Sequence, residues 1–298
     1  MKTVRLHLRP NRTARSGRKR RDFRDLALGL VGGGAAALTV LVLGWIVFDL
    51  LRAGLPHLSW RFLFGEVEDS GRAGGIGPVL LSTLAIVALA LAVALPLGVG
   101  AALWLSDCAP VGSRRGRLAQ AGVDALASVP SIVFGLFGLA FFCRFLGFGF
   151  SILSGALTLA LMILPLLVLT TRAALSSLPG GLRPAAAALG LTRATTVGRI
   201  LLPAALPGIL VGSTLGVARA LAETAALLFT SGYATRWPAS PLDSGRALSV
   251  HLYDLAMNVP GAAAPAAASA LVLLLLVLLV NALASALATA WTRRLSHA

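Results

Sequence analysis

The chain has 298 residues, 57% of them hydrophobic and only 12% charged, with a mean hydropathy of +0.86 and a net charge of +15. Soluble domains carry roughly 25% charged residues, and their apolar positions alternate with polar ones, whereas here they come in long unbroken blocks. A soluble enzyme is excluded. The basic excess is no nucleic-acid signal either, because ten of the 26 Lys and Arg lie in the first 24 residues and most others fill gaps between apolar blocks, where they set topology.

In chain order, residues 1–24 form a basic tail predicted to be cytoplasmic. A first apolar block over 26–51 is too long for the apolar core of a cleaved signal peptide and reads as an uncleaved anchor. With the polar segment that follows it makes up residues 25–76. Residues 77–292 read as a transmembrane core, with further spans at 78–105, 118–145, 150–175, 204–230 and 265–291, each near the roughly 20 residues a crossing needs. A short tail, 293–298, ends the chain. The expected fold is therefore all-α and polytopic, with six transmembrane helices.

Under this topology nineteen Lys and Arg fall on one side, six on the other, and Arg219 lies within a span. The positive-inside rule then puts both termini in the cytoplasm of a plasma (inner) membrane. Cys108 and Cys143 fall on opposite sides, about 30 Å apart, whereas a disulfide needs Cα atoms within about 7 Å, so none is expected. Four scattered histidines suggest no metal site, no cofactor is expected, and there is neither a GxxxxGK[ST] loop nor a catalytic triad. Any chemical energy for transport must come from another chain.

The loop at 179–203 carries the clearest local signal. Pro184 suits the first turn of a helix, and Ala185–Ala188 are strong helix formers. Gly190 fits a left-handed C-terminal turn, and Thr192 can cap a second short helix leading to Pro203. A rigid elbow before a span suits a docking site for a soluble partner.

Within the fifth block Arg219 lies near the midpoint of residues 204–230, where a charge costs about 2.5–3.5 kcal/mol on insertion scales. Glu223 follows at i+4, on the same face if the helix is continuous. One reading is a neutralising pair that only fixes packing. The other is that Arg219 lines a path for an anion, its fork matching phosphate oxygens, while Glu223 orients it and competes for it. Ser131 and Thr224 could add hydroxyls to that path or simply bond between helices.

Ala185, Ala186, Gly190, Ile200, Leu202 and Pro203 resemble the EAA loop of bacterial ABC importer permeases, E-A-A-x3-G-x9-I-x-L-P, with Pro184 where that family usually has Glu. SVPSIVFGLFGL, ARALAETAALLFTSG and GGIGPVLLSTL resemble segments of the phosphate transport system permease protein PstA family, across roughly residues 74–232. Ala222 and Ala226 replace a usual Gly and Pro. The resemblance implies the type I importer permease fold, with the loop as a cytoplasmic coupling helix. It also implies a second homologous permease, two ATP-binding subunits on separate chains, an external phosphate-binding protein and phosphate as cargo. Rival readings are a permease for another oxyanion such as phosphonate, an ATP-independent ion-coupled carrier, or a membrane signalling subunit.

Overall fold

The computed structural model describes residues 13–108 and 113–296, with side chains from 28 to 107 and from 113 to 290. The first twelve residues of the basic tail lie outside the described residues. From Thr13 the chain is already helical: α1 runs Thr13–Gly54, so the predicted boundary between tail and span at residue 24 falls inside one helix. The side chains of residues 28–49 are all exposed, and apolar residues cover the helix on every side. Such a helix needs lipid or another protein around it.

Residues 53–298 form the second compact unit. It opens with α2 (Trp60–Phe64), whose first turn is closed by Ser59 Oγ accepting from Phe62 N at 3.1 Å. A small antiparallel ribbon follows, β1 (Val67–Glu68) against β2 (Ala73–Gly74). It is the one sheet among the described residues of an otherwise helical fold. Next come α3 (Gly77–Leu103), α4 (Arg114–Ser128) and α5 (Ser131–Gly138), the last continuing as a wider turn to Phe145. Then α6 (Ile152–Ser176), α7 (Leu182–Ala188), α8 (Arg193–Thr196) and α9 (Leu202–Ala222) lead to α10 (Ala225–Leu228), α11 (Leu248–Met257) and α12 (Ala263–Ser296).

The bundle is built around α6, which packs along both α3 and α9, while α12 covers the other side of α9. Ile86, Leu159, Ile163, Leu167 and Leu221, from α3, α6 and α9, are essentially solvent-free at the centre. Fully burying side chains of this size contributes about 1.5–3 kcal/mol each. Five helical stretches are long and apolar enough to cross a membrane: Leu28–His57, Gly77–Asp107, Ile152–Ser176, Arg193–Ala222 and Ala263–Ala290. They match five of the six predicted spans within a few residues, apart from the fifth, which starts earlier and stops earlier.

The third predicted span is not a straight helix. Arg114–Ser128 and Ser131–Phe145 meet at 102°. Pro130 has no N–H to continue the ladder and disfavours helical backbone at the residue before it. Val129 is accordingly extended, and α5 starts afresh at Ser131. None of α4 is buried, and a polar relay ties it to the bundle. Arg172 on α6 donates to Gln120 Oε1, and Gln120 Nε2 donates to Asp124 Oδ1 at 2.7 Å.

The second polar segment, residues 231–264 between the fifth and sixth predicted spans, packs back on the bundle. α11 buries Leu248, Val250, His251 and Leu255, and Thr83 Oγ1 on α3 accepts from Leu248 N at 2.8 Å. His251 is 1% exposed and lies against Gly71, where any side chain would collide with its ring. Burial pulls the His251 pKa down to about 4, with Arg246 pushing the same way and Asp254 opposing. Its Nδ1 has no hydrogen-bond partner among the described residues.

The unfolded chain therefore takes up a proton at His251 near its ordinary pKa of about 6.5 while the folded chain resists until about 4. This residue's contribution to stability should be complete above pH 6.5 and fall by roughly 2–3 kcal/mol as the pH drops from 6.5 to 4. Melting of the detergent-solubilised protein across that range should steepen with acid in the wild type and lose that part of the slope in His251→Gln. Identical slopes would contradict the assignment.

Candidate functional site

The backbone breaks a second time where the candidate residues lie. α9 ends at Ala222, and Glu223 is extended at φ −76°, ψ 123°. The fifth span is therefore not one helix over 204–230, and among the described residues no ion pair joins Arg219 to Glu223. Glu223 Oε1 instead accepts from Ala226 N at 3.2 Å and closes the first turn of α10. Its backbone carbonyl accepts from Ser249 Oγ on α11 at 2.6 Å. The carboxylate shapes the break rather than neutralising the arginine.

Arg219 is left in the last turn of α9, three residues from its end and not at mid-helix. It is exposed, and among the described residues it makes no ion pair or hydrogen bond. A cation at the C-terminal end of a helix meets the partial negative charge of the last carbonyls, worth about 0.3–1 kcal/mol. That offsets only part of the cost of placing it in a span.

Around this break two of the motif-bearing segments meet, 128–139 and 218–232. α5 packs on α10, and at Gly135 a Cβ would lie 2.9 Å from the Ala226 Cα and 3.1 Å from the Phe229 ring. Gly138 lies against Thr158 and Thr230, and Gly245, leading into α11, against Ile152 and Ser82 of α3. Small residues are needed where these backbones touch. Ser131, half-buried, opens α5; Thr224, half-buried, opens α10. Among the described residues no hydrogen bond joins Ser131, Arg219, Glu223 and Thr224 side chains to one another, so the fold brings their elements together without building a bonded cluster.

Sequence reasoning misses Ser249, because α11 falls between two predicted spans. The signal was there: Leu248, His251 and Leu255 follow the i, i+3, i+7 spacing of one helix face.

The elbow is formed as the residues dictate. α7 ends with Leu189 N donating to Ala185 O at 3.1 Å, Gly190 N to Ala187 O at 3.0 Å and Leu191 N to Ala186 O at 3.1 Å. Gly190 takes φ +70°, which favours glycine, and Thr192 Oγ1 accepts from Thr195 N at 3.2 Å to cap α8. Ala186 is 2% exposed, while Ala185 and Gly190 face outward. α8 is not a separate helix as expected. A wider turn over Val197–Leu201, holding half-buried Ile200, carries it into α9, with Pro203 in the first turn. Buried Leu175, Leu201, Ala205 and Ile209, flanked by Leu103 of α3 and Leu182 of α7, weld the elbow to three core helices. Arg219 stands 16 residues beyond Pro203, about 24 Å along a helix at 1.5 Å per residue.

Residues 94–297 match the family described as the binding-protein-dependent transport system inner membrane component. The chain belongs to this family. It is 33% identical over 243 residues to the "Probable ABC transporter permease protein YqgI" of Bacillus subtilis (strain 168), covering 77% of this chain and 82% of that one. It is 31% identical over 242 residues to the "Probable phosphate transport system permease protein PstA" of Methanocaldococcus jannaschii, covering 80% and 84%. A solved bacterial alginate ABC transporter, in complex with an alginate pentasaccharide-bound periplasmic protein, has a chain of the same fold. Its TM-score is 0.65 at 16% identity, over 88% of this chain and 93% of that one. The permease is thus a multi-pass inner-membrane subunit with the ABC importer permease fold. It is not itself an enzyme; ATP hydrolysis belongs to separate chains.

Gly190→Ala forces a side chain into the left-handed region at a cost of about 1–2 kcal/mol. Hydrogen exchange at the Leu191 amide should speed up roughly five- to thirtyfold in this variant, with the α6 amides unchanged. Unchanged exchange at Leu191 would contradict the strained geometry of the elbow.

Proposed function

We propose that this permease forms half of the translocation pathway of an ATP-driven inorganic phosphate importer, and that Arg219 meets the passing anion. The observation that carries the reading is an exposed guanidinium inside a membrane span that forms no ion pair among the described residues of its own chain. Such a charge is tolerated where it faces water, a partner or an anion. Its planar fork suits two phosphate oxygens at once. The carbonyls ending α9 temper its pull, which helps an anion leave as well as arrive. Glu223 keeps the backbone open beside it, and Thr224 and Ser131, each opening a half-helix, supply hydroxyls to the same path. The names of relatives such as the M. jannaschii protein support phosphate as the cargo.

The expected assembly has a second homologous permease, two ATP-binding subunits and an external phosphate-binding protein. Both termini lie in the cytoplasm by the excess of basic residues on that side, which puts the elbow within reach of the ATP-binding subunits. Ala185 and Gly190 offer the outer surface of the coupling helix, while Ala186, Ile200 and Pro203 join it to the core. Closure of the ATPase pair pushes α7, the shared cluster moves with it, and α9 carries Arg219 between inward and outward access.

In liposomes with the assembled complex, Arg219→Ala should lower ATP-dependent phosphate uptake at least tenfold, and Glu223→Ala several-fold by undoing the α10 cap. Glu223→Gln, whose amide oxygen can still accept from Ala226, should retain most of the rate. Unchanged uptake in both alanine variants, or wild-type uptake that ignores ATP, overturns the reading.

A further inference from the structure

Among the described residues the elbow has one charged tie to the rest of the fold. Arg183 on α7 donates from Nε to Asp107 Oδ1 at 2.6 Å, across 76 residues of chain. Asp107 closes the extension of α3, and its side chain is only 11% exposed. An ion pair this sheltered is screened less than a surface pair, and breaking one partner strands the other.

The carboxylate is only half satisfied. Asp107 Oδ2 is buried and has no hydrogen-bond partner among the described residues. A buried carboxylate oxygen without a donor is unfavourable, so a second donor brought to it would stabilise the group. Beside it lies a cleft of about 250 Å³, lined by Asp107, Arg183, Ala187, Leu191, Arg193 and Thr196. Arg193, on the far limb of the elbow, makes no ion pair among the described residues. One buried acid therefore shares a cleft with two arginines, one from each limb of the elbow, and is bonded to one of them.

We infer that Asp107 is a positioning residue for coupling, which fixes the angle of α7 through Arg183 and gains Arg193 as the elbow rolls under load. This rests on the reading of the elbow as the contact for the ATP-binding subunits. The pair turns a push on α7 into displacement of α3, a helix that packs along α6 and α9. Apolar contact alone would let α7 slip, since only Leu182 and Ala186 seat it in the core.

The test uses the full complex in liposomes and reads two quantities. The first is phosphate taken up per ATP hydrolysed; the second is the ATP-dependent change in distance between spin labels at Ala188→Cys and Leu97→Cys, with Cys108 and Cys143 replaced by serine. Asp107→Asn should cut uptake per ATP at least fivefold and abolish the distance change. Arg193→Gln should reduce the distance change while leaving the melting temperature of the permease alone in place. The swap Asp107→Arg with Arg183→Asp should restore both readouts to at least half. The inference is overturned if both readouts survive in Asp107→Asn. It is equally overturned if that variant simply fails to fold and the swap does not rescue it. A wild type that shows the distance change but imports no phosphate would refute the cargo and leave this inference standing.

Discussion

Backbone polar groups have no water to bond to inside a bilayer, so an interrupted helix must find its partners within the protein. This chain interrupts two helices in its membrane-crossing part, at Val129–Pro130 and at Glu223–Thr224, and the neighbouring architecture serves those breaks. At the first, Ser128 Oγ donates to Ala125 O and Val129 N to Leu126 O. At the second, the Glu223 carboxylate takes the Ala226 amide and Ser249 reaches across from α11 to the Glu223 carbonyl. The packing of α11 on the bundle thus serves the break. It supplies the hydroxyl that stabilises the break beside Arg219.

Close packing then follows from the breaks. Two half-helices, α5 and α10, must lie against each other with little room, and Gly135 and Gly138 face Ala226, Thr158 and Thr230 where a larger residue would meet backbone or a buried hydroxyl. Overpacking at such points costs about 1–3 kcal/mol. The same core continues through Leu167 and Leu175 of α6 to the cluster beneath the elbow. A displacement at one end therefore has a dense path to the other, because packed interiors shift as units rather than compress.

Much of this was legible in the residues. Long apolar blocks gave the spans, and Pro184, Gly190 and Thr192 gave the elbow, since capping is local chemistry that three or four residues decide. The breaks were harder to read. Pro130 was visible but its 102° bend was not, because a proline inside a span can kink it or end it, and tertiary packing chooses. Glu223 misled for a different reason: at i+4 from Arg219 it suggests an ion pair, yet a carboxylate can equally cap a new helix, and which it does depends on where the backbone turns. Ser249 was invisible as a site residue until α11 was placed. Of the three motif segments, only the fold shows that 128–139 and 218–232 touch.

The central claim is that Arg219 stands in a water-accessible anion path and not against lipid. The direct measurement is labelling of Arg219→Cys, in the assembled transporter with Cys108 and Cys143 replaced, by a membrane-impermeant thiol reagent and by a lipid-soluble maleimide. The account predicts rapid labelling by the impermeant reagent. Labelling only by the lipid-soluble maleimide would contradict it.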